Sequence, residues 1–158
     1  MHYDLLAWDA EPSVDSTVDE VAMAVLLTFD TSRLLLRWDL RPPVEQLVVL
    51  SNEPDEPKPL TRRADVSRRW TAFLGAKLIG ASWADQETTD GLQPWAITLA
   101  FEGAGELVIA LGELLDGIPT YLLDSLIVTA SRDVALSYRP PASLTPAWTS
   151  PAAPNSKR

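Results

Sequence analysis

The sequence predicts a mainly β protein with two short helices: an antiparallel sandwich or a partly closed barrel, assembled from two similar β-β-β-β-α halves. Three observations carry this. Ala96 to Ser131 reads as a β-hairpin followed by a third strand, Ala24 to Ser51 repeats that plan, and each stretch leads on to a short helical pattern. In the later copy Ile97, Leu99 and Phe101 alternate with Ala96, Thr98 and Ala100, the period of a strand with one apolar face. Glu102-Gly103-Ala104-Gly105-Glu106 supplies the turn, its glycines free to take positive φ, and Leu107, Ile109 and Leu111 carry the apolar face back. In the earlier copy Val25, Leu27 and Phe29 precede a turn at Asp30 to Arg33, and Leu34, Leu36 and Trp38 return. Both copies close on a strand headed by an acid, Glu45 to Leu50 and Asp124 to Thr129.

In chain order, Tyr3 to Trp8 alternates as a first strand. Residues 9–21 form an acidic loop in which Ser16 and Thr17 stand three positions before Asp19 and Glu20, the spacing of a capping box and so of a helical turn. Arg41-Pro42-Pro43 bridges the first hairpin to its third strand, since proline cannot donate to a sheet ladder. A proline-and-charge loop at 52–59 ends the first half. From Thr61 a helix is expected, with Val66, Trp70 and Phe73 at i, i+4 and i+7 and Gly75 as its stop. Lys77 to Trp83 is extended, and 84–94 is a polar loop. Asp133 to Tyr138 makes a second short helix, halted by Pro140 and Pro141.

Pieces recur in the same order in the two halves: Trp8-Asp9 with Trp83-Ala84-Asp85, Phe29-Asp30 with Phe101-Glu102, Leu47-Val48-Val49 with Leu126-Ile127-Val128, and Asp65-Val66 with Asp133-Val134. The expected organisation is one β-rich domain over 1–138, with pseudo-repeats at about 1–74 and 75–138, and an irregular Pro/Ala/Ser-rich tail over 139–158 whose Leu144 and Trp148 can dock on the body. A four-stranded unit cannot bury its apolar face alone, so the halves are expected to close over a shared core.

Composition narrows the function. A length of 158 residues with 46% hydrophobic residues suits one globular domain. There is no cysteine and one histidine, His2, near the chain end, so no Ser-His-acid or Cys-His nucleophile system and no His/Cys metal set is available. No phosphate-cradling glycine motif occurs. Asp85, Glu87 and Asp90-Gly91 give D-x-E-x-x-D-G, but the spacing fits no EF-hand and reads as a solvated loop. We therefore expect no catalytic residues, no cofactor and no metal.

The formal charge is −9, unevenly spread: residues 1–56 hold 12 acids and 3 bases, and residues 57–73 hold 5 bases and 1 acid. This balance disfavours nucleic acid. The basic run Arg62-Arg63 with Arg68-Arg69 reads as the outer face of the expected helix, able to neutralise the acidic first third. The segment MHYDLLAWDAEP has acids where a signal peptide needs a basic start, and no apolar run approaches a membrane span, so a cytoplasmic protein is expected.

These features predict a non-enzymatic acidic interaction module, of the inhibitor or immunity type, binding a basic partner protein through Asp15, Asp19, Glu20, Glu53, Asp55 and Glu56. Among the tryptophans most are expected in the core, and Trp95, beside Pro94 at a loop–strand junction, is the best candidate for partial exposure and joins these acids as a partner-binding residue. The alternative is a small-molecule binder or acid-only hydrolase with a cavity between the halves; a protomer of a homo-oligomer is a third reading.

Overall fold

A computed structural model describes residues 1–7, 9, 16–39, 46–52, 60–88 and 91–138. In chain order the strands are β1 (His2–Leu6), β2 (Val18–Val21), β3 (Ala24–Thr28), β4 (Arg33–Asp39), β5 (Gln46–Ser51) and β6 (Thr61–Asp65). A 3-10 turn at Thr71–Phe73 leads to β7 (Leu78–Thr88), β8 (Gly91–Phe101), β9 (Gly105–Leu111), β10 (Glu113–Leu115), β11 (Ile118–Thr120) and β12 (Leu126–Thr129), and one helix, α1 (Arg132–Ser137), follows. One five-stranded sheet has the order β5-β4-β3-β1-β6 and the other β2-β12-β9-β8-β7; β10 and β11 form a separate ribbon. All pairings are antiparallel, and neither sheet closes into a barrel, an arrangement compatible with a sandwich.

Each hairpin forms for the reason its sequence gives. Val25 and Leu27 on β3, and Leu36 on β4, point into a core shared with Ile97, Leu99, Leu107 and Ile109 of β8 and β9. Phe29 donates its N–H to the Ser32 carbonyl at 2.8 Å to close the first turn. In the second turn Gly103 and Gly105 adopt φ of 71° and 93°, values a Cβ would resist. The strand, the hairpin and the third strand then lie side by side in each sheet: β1, β3, β4, β5 in one and β7, β8, β9, β12 in the other. A fifth strand extends each sheet, β6 beside β1 and β2 beside β12.

Three sequence expectations are corrected. The helix from Thr61 is instead strand β6, paired along its whole length with β1 from Leu6↔Thr61 to His2↔Asp65. Pairing satisfies an edge of β1 that would otherwise leave backbone groups open, and this outweighs the local helical spacing. The apolar stripe still reaches the core, because the Asp65 carboxylate accepts the Ser67 N–H at 2.9 Å and starts a turn that carries Trp70 inward. Gly75, expected as the stop of that helix, instead follows the 3-10 turn, with φ of 75°. Second, 18–21 is a strand, not part of a loop or helical turn; Thr129 Oγ1 on β12 holds its entry by donating to the Thr17 carbonyl at 2.8 Å. Third, the expected polar loop at 84–94 is mostly strand, since β7 and β8 pair from Leu78↔Phe101 to Thr88↔Gly91.

The ribbon of β10 and β11 was not anticipated, although its turn carries the signal. Asp116-Gly117 has positive φ at both residues (53° and 75°), the two-residue turn that suits strand twist. The C-terminal helix agrees with expectation, with Ser131 Oγ accepting the Val134 N–H as its cap. Residues 53–59, the Arg41-Pro42-Pro43 bridge, Trp8, Pro140, Pro141 and the tail with Leu144 and Trp148 lie outside the described residues. No helix among the described residues is long and apolar enough to cross a membrane.

Candidate functional site

The sheets bring the first hairpin turn and the turn end of the second hairpin to one end of the molecule. Between them runs the segment from Trp70 to Leu78. Together they leave a half-open groove of about 590 Å³. Its floor is Leu27, Trp70, Phe101 and Leu107, all buried, and its sides are the half-buried Phe29, Leu34, Phe73 and Leu78. Phe73 meets Phe101 edge to face at 5.3 Å between ring centres and lies 6.0 Å from Trp70. The rim is polar, with Asp30 and Lys77 as the charged side chains and hydroxyls from Thr28, Thr31 and Ser32.

A buried polar chain fixes the floor. Trp70 Nε1 donates to the Tyr3 hydroxyl at 2.7 Å, and that hydroxyl donates to Asp19 Oδ2 at 2.8 Å. Arg69 Nε donates to the same carboxylate oxygen at 2.5 Å, its guanidinium also reaches the Ser16 carbonyl, and it lies over the Trp70 ring at 5.3 Å. The chain ties β2 of one sheet to β1 of the other. Burial raises the Asp19 carboxyl above its ordinary range, against the opposing pull of the Tyr3 hydroxyl and Arg69. Burial and the Asp19 charge push the Tyr3 phenol upward as well. A charged pair taken out of water in this way is a structural clamp that is costly to break from one side.

The acids expected to face a partner have different fates. Asp19 is 3% exposed and neutralised by Arg69, so it is not a surface residue. Glu20, the next residue, points out and accepts the Leu114 N–H at 3.0 Å. Asp15, Glu53, Asp55 and Glu56 lie outside the described residues. Two acids that sequence reasoning had not selected join Glu20: Glu113 on β10 and Asp124 before β12. Burial, a hydrogen bond to Asp124, and the charges of Asp124 and Glu20 hold the Glu113 carboxyl above its ordinary range. Most of the acid–glycine pattern at 85–91 falls on strand rather than in a loop. Asp85 and Glu87 are exposed on strand β7, where alternate side chains stand about 7 Å apart, and Asp90 lies outside the described residues.

The tryptophans also reverse the expectation. Trp95 is 0% exposed, whereas Trp83 is 47% exposed. The β7–β8 register slips between Ala84↔Ala96 and Asp85↔Pro94, leaving Trp95 as an extra residue on β8. The slip sets its indole against Tyr138, stacked at 4.9 Å, and against Tyr121 at 6.3 Å. Pro94 sits where a bulge tolerates proline.

The groove therefore offers an apolar bed, one carboxylate and one ammonium. Among the described residues its lining holds one carboxylate, Asp30, where acid-only hydrolysis needs two that converge. No protein family, curated protein or solved structure matches the sequence.

Proposed function

We propose that the protein is a binding module whose working site is the groove between its two halves, taking an elongated apolar molecule with one polar end. The observation that carries this reading is a half-open volume of about 590 Å³ with aromatic walls from both hairpins and from the segment joining them. That volume lies within the range of small-molecule sites. The apolar body of the ligand would displace water from Phe73, Phe29 and Leu34, and its polar end would stay at the rim with Asp30, Lys77 and the hydroxyls. Such a site binds its ligand and shields the apolar body from water.

A second reading is an acidic interaction module of the inhibitor or immunity type, taking a basic partner protein. It is favoured by the convergence of Glu20, Glu113 and Asp124. One set of titrations separates the two. Dodecanoate and an oligolysine peptide are titrated into the wild-type protein, Phe73→Gln, and the double variant Glu20→Lys/Asp124→Lys. The groove reading expects saturable dodecanoate binding that weakens about tenfold in Phe73→Gln, in line with losing one large apolar contact. Absence of dodecanoate binding, or binding indifferent to Phe73→Gln, overturns it. Oligolysine binding that is lost in the charge-reversed variant, with no uptake of dodecanoate, places the function on the acidic patch.

A further inference from the structure

The two layers end unevenly on one side. β5 is the outermost strand of the first sheet and β7 of the second, and among the described residues no strand pairs with the far side of either. β5 packs over β8 and β9, and at the other side β1 packs over β2, so the two strand orders run in the same sense and β7 projects beyond β5. The side chains of β7 record this overhang. Ala81 and Trp83 pair with Leu99 and Ile97, and so share the face that looks toward the first sheet. The later register slip puts its extra residue, Trp95, on β8, so alternation on β7 continues unbroken to Asp85 and Glu87. These residues are all exposed, Trp83 at 47%, whereas Ser82, Ala84 and Gln86 on the other face are half-buried or buried. The face that should be dry is the wet one, because β7 lies past the end of the first sheet.

Beside this ledge the edge of β5 is set to pair. Asn52 donates its N–H to the Arg33 carbonyl at 3.1 Å, which fixes the alternation: Gln46, Val48 and Leu50 turn their amides to β4, while Leu47, Val49 and Ser51 turn theirs away. An open edge of this kind templates a further strand. We infer that the ledge takes an extended segment of a basic partner protein, added antiparallel to β5, with its inward side chains on Ala81, Trp83, Asp85 and Glu87. A strand added there stands about 4.8 Å beyond β5 and about 10 Å from the second sheet, which is the position over β7. Charge selects the occupant. The row ends in two carboxylates, it holds no cation from Ala81 to Glu87, and among the described residues neither carboxylate is in an ion pair. The order of the incoming residues follows from strand direction. Ser51 pairs with Leu34 and Leu78 with Phe101, and Leu34, Leu78 and Phe101 all line the groove. β5 therefore runs toward that end and β7 away from it, so a strand antiparallel to β5 runs with β7. Its earlier inward positions meet Ala81 and Trp83, which fit apolar side chains, and its later ones meet the carboxylates, which fit lysine or arginine. The ledge is separate from the groove, and it lies at the opposite edge of the second sheet from Glu20 on β2.

A fluorescein-labelled peptide tests this, with valine at its first two inward positions, lysine at the next two and threonine between them. The full chain is titrated into it and fluorescence polarisation is read. Saturable binding is expected, weakened about tenfold in Trp83→Ala and in Asp85→Lys, in line with losing one large apolar contact or one charge pair. A peptide of the same composition with the valine and lysine halves exchanged should bind more weakly. A peptide with glutamate in place of lysine should prefer Asp85→Lys/Glu87→Lys to wild type. Strand pairing is tested with the protein untouched. The inward residues of the added strand turn their N–H groups toward β5 and the threonines turn theirs away. N-methylation of the second valine should therefore abolish binding, and N-methylation of the threonine after it should leave binding unchanged. Absence of saturable binding at about 1 mM protein overturns the inference, that concentration being the weak end of specific association. Equal losses from the two N-methylations, indifference to Trp83→Ala, or equal binding of the two peptide orders overturn it too. Sedimentation of the chain alone as a dimer that Trp83→Ala dissociates would give the ledge to a second copy, and equally overturns it.

Discussion

The two sheets share a four-strand order yet differ in how many of their faces are dry. In the first, alternation is clean. Tyr3, Leu5, Leu36 and Leu47 point to the core, while His2, Asp4, Leu35, Arg37, Val48 and Leu50 on the other face are half-exposed, and only the central Ala24 and Leu26 are closed off. In the second sheet both faces of the strands β8, β9 and β12 are covered. Ala96, Thr98, Val108, Ala110, Ile127 and Thr129 are as buried as the core-facing Ile97, Leu99, Ile109 and Val128. The ribbon β10–β11 and helix α1 account for part of this difference. They follow β9 and β12 and bring Tyr121 and Tyr138 against Trp95. The Tyr138 hydroxyl donates to the Leu111 carbonyl, and Gly112 leaves the space, since a Cβ there would stand 2.6 Å from the Thr120 carbonyl oxygen. A meander can serve as a one-sided or a two-sided layer, and its insertions decide which.

The largest expected effect comes from uncovering the second sheet. Trp95→Ala removes a fully buried indole from beneath α1 and should cost about 3–5 kcal/mol. Leu35→Ala on the half-exposed outer face of the first sheet should cost less than about 1.5 kcal/mol, because much of its surface is already wet. Urea unfolding of the two variants reads the contrast directly. Equal losses would mean that both outer faces are equally dry in solution.

How far the sequence displays this contrast depends on the range over which each feature is set. The hairpins were legible because alternation and turn glycines are local, and both observed turns fall where Asp30 to Arg33 and Gly103 to Gly105 place them. The dryness of the second outer face was partly legible: Leu126-Ile127-Val128 is a continuous apolar run, and Ala96 and Thr98 are small enough to be roofed. β6 was hidden because its helical spacing is local, whereas the partner that makes it a strand, β1, lies 55 or more residues earlier. Asp19 read as a surface acid because its neutralising Arg69 arrives from 50 positions away. The groove was expected only as a cavity between halves. Phe73 and Phe101 each look like ordinary core positions, and only the packing of two hairpin ends and the joining segment turns them into a wall.

Two arginine–aspartate pairs sharpen the comparison at the next scale. Arg69 and Asp19 meet between the sheets, their side chains 8% and 1% exposed. Arg69→Ala leaves a buried carboxylate without its counter-ion and should cost about 3–5 kcal/mol. Arg63 and Asp4 form a bidentate pair on the outer face of the first sheet, at 2.7 Å for both contacts and with side chains 22% and 13% exposed. Arg63→Ala should cost about 1 kcal/mol or less, a figure that shrinks further in high salt while the loss for Arg69→Ala holds. Denaturation at low and high salt separates the two, and a salt-sensitive loss at Arg69 would place that pair in water.

The smallest effect is a pH dependence, and its sign follows from Asp19. Burial holds its carboxyl above the ordinary value of 3.8 in the folded chain, so the native protein keeps a proton over an interval where the unfolded chain has lost it. Unfolding therefore releases that proton, and stability falls as pH rises across the interval. The contribution is fully present below pH 3.8 and is lost as pH passes through the native value. Other carboxylates titrate in the same range, so the quantity to follow is the stability of wild type relative to Asp19→Asn at each pH. That difference should shrink as pH is raised from 3.8 and then level off. A difference that grows with pH instead would show that Arg69 outweighs burial, and that the link between the two sheets is an ion pair gaining strength from its charge.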